Sequence, residues 1–178
     1  VNYNYKGRYF VSASIRHEGS SQFGEDHKWG NFPAISLAWN IKGEQFLHNI
    51  QAISTLKLRA GFGITGTEPG TPYLSLNKLN MGGYGYYNGK WTNLLRPDGN
   101  PNPDLRWEKK EELNIGLDFG FLSDRISGSI DFYNRETKDL IGDYQVPVPP
   151  YFSPWIKANA GSIRNTGLEV SLNIVPVQ

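Results

Sequence analysis

Six stretches of the chain alternate apolar and polar residues with period two, and the apolar run that defines one of the two faces is interrupted by no charge. They run from about Arg8 to His17, Phe32 to Ile41, Thr55 to Thr65, Leu113 to Phe121, Arg125 to Glu136 and Gly167 to Val175. Each is about ten residues long and is bounded by turn-forming residues, which predicts antiparallel strands. The apolar face begins with Tyr9, Val11, Ala13 and Ile15 and ends with Leu168, Val170, Leu172 and Ile174. The other face is mostly small and polar, as in Ser12, Ser14, Ser36, Gly61, Gly63, Asn114 and Gly116.

Two all-β architectures share such alternation. In a soluble β-sandwich the apolar face meets a second sheet. In a transmembrane β-barrel it meets lipid, and the polar face lines the interior. Small residues on the polar face favour the barrel, because a water-exposed sheet face usually carries Thr, Lys, Glu and Arg. Connection lengths agree. Ser123-Asp124 and the span from Lys42 to Ser54 are compact, whereas His17 to Asn31, Gly66 to Glu112 and Glu136 to Thr166 are long. Short turns at one rim and long loops at the other are the outer-membrane pattern. Aromatic residues are expected to form interfacial girdles, with Tyr3, Tyr5, Tyr9, Phe119 and Phe121 at one level and Phe132, Tyr133 and Trp107 toward the other.

Composition removes other classes. A net charge of +1 gives no electrostatic footprint for nucleic acid. The absence of Cys excludes disulfides, thiolate metal sites and cysteine nucleophiles within this chain. The opening Val1-Asn2-Tyr3-Asn4, without Met or a signal-like segment, suggests a piece of something longer.

Several ordered motifs resemble one family. Tyr5-Lys6-Gly7-Arg8-Tyr9, Gly19-Ser20-Ser21-Gln22-Phe23-Gly24 and Trp29-Gly30-Asn31-Phe32-Pro33 are similar to the barrel of SusC/RagA-type TonB-linked outer-membrane transporters. So are Leu56 to Gly66, Asn102-Pro103-Asp104-Leu105-Arg106-Trp107-Glu108, Tyr133 to Leu140 and Asn165-Thr166-Gly167-Leu168-Glu169. The resemblance implies a barrel of about 22 strands closed around an N-terminal plug. It implies energy delivered through the TonB complex, a SusD-like lipoprotein over the extracellular mouth, and import of oligosaccharides or peptides across the outer membrane of Bacteroidota. The chain would be one partial barrel domain, residues 1–178, of about six strands from the C-terminal part, without the plug and N-terminal regions.

Candidate residues follow from these faces and loops. Arg16, Lys57, Arg59, Asp118, Asp131, Arg135 and Glu169 fall on the polar face and are expected to meet the plug or line the lumen. Tyr84, Tyr86, Tyr87 and Trp91 in the longest loop, with Tyr151 and Trp155 in the last, are candidates for contact with substrate or partner. Sugar stacking, contact with the lipoprotein and packing of the loop on itself all stay open for them.

Motifs that suggest other chemistry do not hold up in context. Gly61-Phe62-Gly63-Ile64-Thr65-Gly66 fits the dinucleotide fingerprint by letter, but Thr67-Glu68-Pro69-Gly70 follows and cannot open the required helix. Asp98-Gly99-Asn100-Pro101-Asn102-Pro103-Asp104 spaces oxygens like a calcium loop yet has Pro103 where the EF-hand needs Gly. A turn-rich scaffold is expected there, with loop calcium as the alternative and no other cofactor or metal. His17, His27 and His48 are too dispersed for a helical metal pair. Glu108, Glu111 and Glu112 alternate with Lys109 and Lys110 as a solvated loop-to-strand junction does. No nucleophile and base can be singled out, so the chain is expected not to be an enzyme. The expected function is uptake, with a soluble carbohydrate-binding β-sandwich as the alternative.

Overall fold

The computed structural model describes residues 1–176. Eleven strands follow one another: β1 (Asn2–Tyr5), β2 (Tyr9–Gly19), β3 (Trp29–Asn40), β4 (Ile53–Thr67), β5 (Leu79–Tyr87), β6 (Lys90–Pro97), β7 (Glu108–Phe121), β8 (Ile126–Lys138), β9 (Ile141–Gln145), β10 (Trp155–Asn159) and β11 (Ser162–Ile174). Seven form one antiparallel sheet in the order β1-β2-β3-β4-β7-β8-β11. The others form two hairpins inside long connections, β5 with β6 and β9 with β10.

Register carries the alternation across the sheet. Tyr3 pairs with Val11, Val11 with Leu37, Leu37 with Ala60, Ala60 with Ile115, Ile115 with Phe132 and Phe132 with Leu168. This row and its neighbours make one uninterrupted apolar band. Nothing among the described residues packs on it: Leu37 is 47% exposed, Ile115 42% and Leu168 64%. That removes the soluble sandwich, whose inner faces would bury these side chains. Water-exposed apolar patches of this extent mark a surface meant for something other than water.

The strands are longer than the apolar pattern at the long-loop end. Above the band, the outer face continues as cross-strand ion pairs, with Lys138 Nζ 2.8 Å from Glu111 and Arg164 Nη2 2.9 Å from Glu136. Opposite charges support a ladder as well as apolar pairs do, so the ladder persists after the apolar period has stopped.

The short-turn rim is tightly drawn. Leu122, Ser123 and Asp124 connect β7 to β8 with φ of 54°, 56° and 62°. The Asp124 amide donates to Ser54 Oγ at 3.1 Å, and Thr55 Oγ1 donates to the Asp124 carboxylate at 3.3 Å. Within the compact span from Lys42 to Ser54 the chain makes one short α-helical turn, α1 (Gln45–His48). Just before it, Glu44 accepts from Tyr9 Oη at 2.6 Å, Trp39 Nε1 at 3.1 Å and Arg8 Nη1 at 3.1 Å. The Tyr9 hydroxyl, then the Trp39 indole, hold the Glu44 carboxyl below the usual carboxylate range.

The aromatic girdle forms at this rim, where Tyr9 stacks on Trp39 at 6.2 Å and Phe119 lies 5.8 Å from Phe121. The opposite girdle differs from expectation. Tyr133 pairs with Asn114 and Gly167 in an inner-face row, and Trp107 is buried among the loops. Exposed Trp29, stacked on His17 at 4.7 Å, stands at the long-loop end of the outer face instead.

A small core joins the long connections. Pairing of β3 with β4 stops at Ala34–Gly63. Beyond it Phe32 packs with Phe23, Leu105 and Trp107, flanked by Ile64, Leu74 and Ile141. Trp107 Nε1 donates to the Lys28 carbonyl at 3.1 Å, and the Gly24 amide donates to the Leu105 carbonyl at 3.1 Å. A side chain at Gly24 would run into the Pro103 carbonyl, so only glycine lets the two connections approach this closely.

Candidate functional site: inner wall and long-loop platform

The polar face of the sheet is an inner wall of small neutral rows and charged clusters. Over β2, β3 and β4 the register aligns Ser12 with Ser36 and Gly61, and Ser14 with Ala34 and Gly63. Arg59 donates through Nε and Nη2 to Asp118 at 2.9 and 2.7 Å, and through Nη2 to Asp131 at 3.0 Å. It thereby ties β4, β7 and β8 together, passing over Gly116, where a side chain would collide with the Arg59 guanidinium and the Asp131 carboxylate. The bidentate geometry fixes the guanidinium more firmly than a single contact would.

The other candidates on this wall are dispersed. Arg135 makes a second bidentate pair, at 2.9 Å to both oxygens of Glu112. Lys57 lies 5.9 Å from the Phe10 ring centroid. Arg16 pairs with Glu18 at 2.9 Å near the loop rim. Glu169 stands opposite Asp131 in register and makes no ion pair among the described residues. Glu112, at the loop-to-strand junction, faces inward with its side chain 36% exposed and pairs with Arg135. Its signal was the parity of the strand itself, two residues before Asn114.

Tyr84, Tyr86 and Trp91 lie on one face of the β5–β6 hairpin, with Tyr86 directly opposite Trp91 and their rings edge to face at 5.5 Å. Leu79, Met81 and Leu95 share that face, which carries no charge. Tyr84 is 73% exposed and Trp91 72%, so the loop does not pack these rings on itself. Tyr87 pairs with Lys90 on the hairpin's other face. Tyr151 and Trp155 are exposed in the last long connection, beside Phe152.

The segment with calcium-like spacing uses its amide oxygens internally. Asn100 Oδ1 accepts from the Phe152 and Ser153 amides at 2.8 and 3.2 Å, while Nδ2 donates to the Ser153 and Trp155 carbonyls at 2.6 and 2.9 Å. Asn102 Nδ2 donates to the Lys157 carbonyl at 2.9 Å, and its Oδ1 accepts from the Asp104 amide at 3.0 Å. In return, Asn159 accepts from the Arg106 amide at 2.9 Å and donates to the Arg106 and Asp139 carbonyls, both at 2.8 Å. Arg106 and Asp139 close the junction with a 2.6 Å ion pair. The glycines of the nucleotide-like motif lie within β4, and no helix follows them.

The architecture has close relatives. Residues 1–175 match the family model described as TonB dependent receptor-like, beta-barrel. The chain is 40% identical over 181 residues to TonB-dependent receptor SusC of Bacteroides thetaiotaomicron, covering 99% of this chain and 18% of that protein. It is 42% identical over 180 residues to TonB-dependent receptor P39 of Formosa agariphila, covering 100% and 17% respectively. The RagAB peptide importer in its closed-closed state superposes with a TM-score of 0.81 at 29% identity, covering 96% of this chain and 18% of that one. Its open-open state gives 0.78 at 30% identity. The chain therefore spans less than a fifth of the proteins it matches. Matched from end to end in sequence, and carrying the outward apolar band of a membrane barrel, the chain belongs to the SusC/RagA-type TonB-dependent receptors, as a segment of their outer-membrane β-barrel.

Proposed function

We propose that this segment forms wall and extracellular rim of an importer that takes oligosaccharides, or in a related branch peptides, across the outer membrane. The observation that carries this is the pairing of an uncharged outward band with an inner wall of small and salt-bridged residues, continuous over the seven strands. A lipid-facing band places the wall in the membrane, and a polar interior suits a filled lumen. The Arg59–Asp118–Asp131 cluster, Arg135 with Glu112, and Arg16, Lys57 and Glu169 then face a plug contributed by another part of the protein. Energy would enter through contact of the whole protein with the TonB complex. The segment itself would carry out no catalysis.

At the extracellular rim, Tyr84, Tyr86, Tyr87, Trp91, Tyr151 and Trp155 offer aromatic faces to a sugar ring, and to a SusD-like lipoprotein closing the mouth. The RagAB peptide importer among the structural relatives supports the peptide class. Sugar is favoured by exposed rings beside the amide of Asn93, which faces Tyr84 across the hairpin. The test is uptake by the intact transporter, with and without Trp91→Ala. A panel of oligosaccharides and peptides should show one class imported, and the variant should raise the half-saturation concentration about tenfold, the scale of a lost aromatic contact. Import of neither class by the parent protein would refute this function.

A further inference from the structure

The second long connection (68–107) and the third (139–161) meet along a junction whose chemistry is unusually complete. Asn100 has two acceptor sites and two donors, and all four are engaged by the backbone of the third connection. Asn102 adds a donor in the same direction, and Asn159 reaches back with two bonds, both to Arg106. No other side chain of this length both donates twice and accepts twice, so the junction is written in asparagine. Asn100 also pairs with Ile156 as an isolated parallel bridge, and Leu74 and Ile141 pack on the same loop core.

We infer that the two connections move as one rigid body, riveted by Asn100, Asn102 and Asn159, so that their aromatic groups meet an incoming molecule as a single surface. The inference rests on the uptake function proposed above for its biological use, but not for its mechanical content. A flexible pair of loops would open independently and expose different amides at different rates. A riveted pair opens together.

Two measurements on the intact transporter in detergent decide it. The first is hydrogen exchange with Asn100→Ala. The expected result is exchange accelerated about tenfold or more at Phe152 and Ser153 in the third connection and, equally, at Asn102 and Leu105 in the second, since several bonds are lost at once. Acceleration confined to the third connection, or none in either, overturns the inference. The second uses Arg106→Cys with Asp139→Cys, bridged by propanediyl bis-methanethiosulfonate, in a chain segment that has no other Cys. If the connections already move together, bridged and unbridged protein import at rates within about twofold of each other. A bridge that lowers import to a tenth or less shows that the connections must part, and overturns the inference. A parent protein that imports nothing would refute the uptake function, while the exchange result would still decide the coupling.

Discussion

At the scale of single residues, direction matters more than size. Leu117 sits in the outward band between Leu58 and Ile130, while Asn114, three residues earlier, faces inward between Gly61 and Tyr133. Leu117→Arg should block assembly of the intact barrel, because a charge on the lipid face near the midplane costs about 2 to 4 kcal/mol. Asn114→Arg should assemble far better, and heat-modifiable migration of the barrel in gels checks both. Gly24→Ala should loosen the loop core by about 1 to 3 kcal/mol, the usual cost of forcing volume into a filled site. Protease protection of the 20–28 segment reads the effect. The Pro103 carbonyl is backbone and cannot swing aside as a side chain would. The two faces were legible in the sequence at this scale because period two sorts every side chain. The asparagine junction was not, because nothing in Asn100 or Asn102 names a partner more than fifty residues away.

At the scale of elements, the six long strands were visible and the rest were not, for separable reasons. β1 is four residues long and shows too few alternations to register. The upper ends of β7, β8 and β11 lost the apolar period to ion pairs such as Lys138 with Glu111. The β5–β6 and β9–β10 hairpins lie in Gly- and Pro-rich connections, where composition suggests loop and only pairing reveals strand. The Glu44 clasp joins the starts of β2 and the end of β3 to the turn before α1. Its carboxyl is held below the ordinary range, so the clasp contributes stability above that range and loses it as pH falls through the depressed native value. Thermal unfolding of the detergent-solubilised barrel should therefore weaken on acidification, and Glu44→Gln should flatten that dependence. A variant with the same acid profile as the parent would remove the clasp as the cause.

At the scale of the whole molecule, the segment has almost no interior of its own. Its buried apolar residues are Phe23, Phe32, Leu105 and Trp107, all at one rim. Both edge strands, β1 and β11, expose unpaired backbone. The 178-residue chain alone in detergent-free buffer should aggregate or melt without cooperativity, whereas a barrel containing it should be soluble in detergent. Sedimentation with circular dichroism distinguishes these, and a cooperative monomer would contradict the membrane placement. The outward band also sets how such a protein drifts in sequence. A solid core records the shape of every side chain, since a lost methylene leaves a void that nothing refills. Lipid tails are fluid and close around whatever volume is offered. Positions such as Leu58, Leu117, Ile130 and Val170 should exchange Leu, Ile, Val and Phe almost freely over generations. What lineage preserves there is polarity, and the fixed shapes will be found on the inner wall.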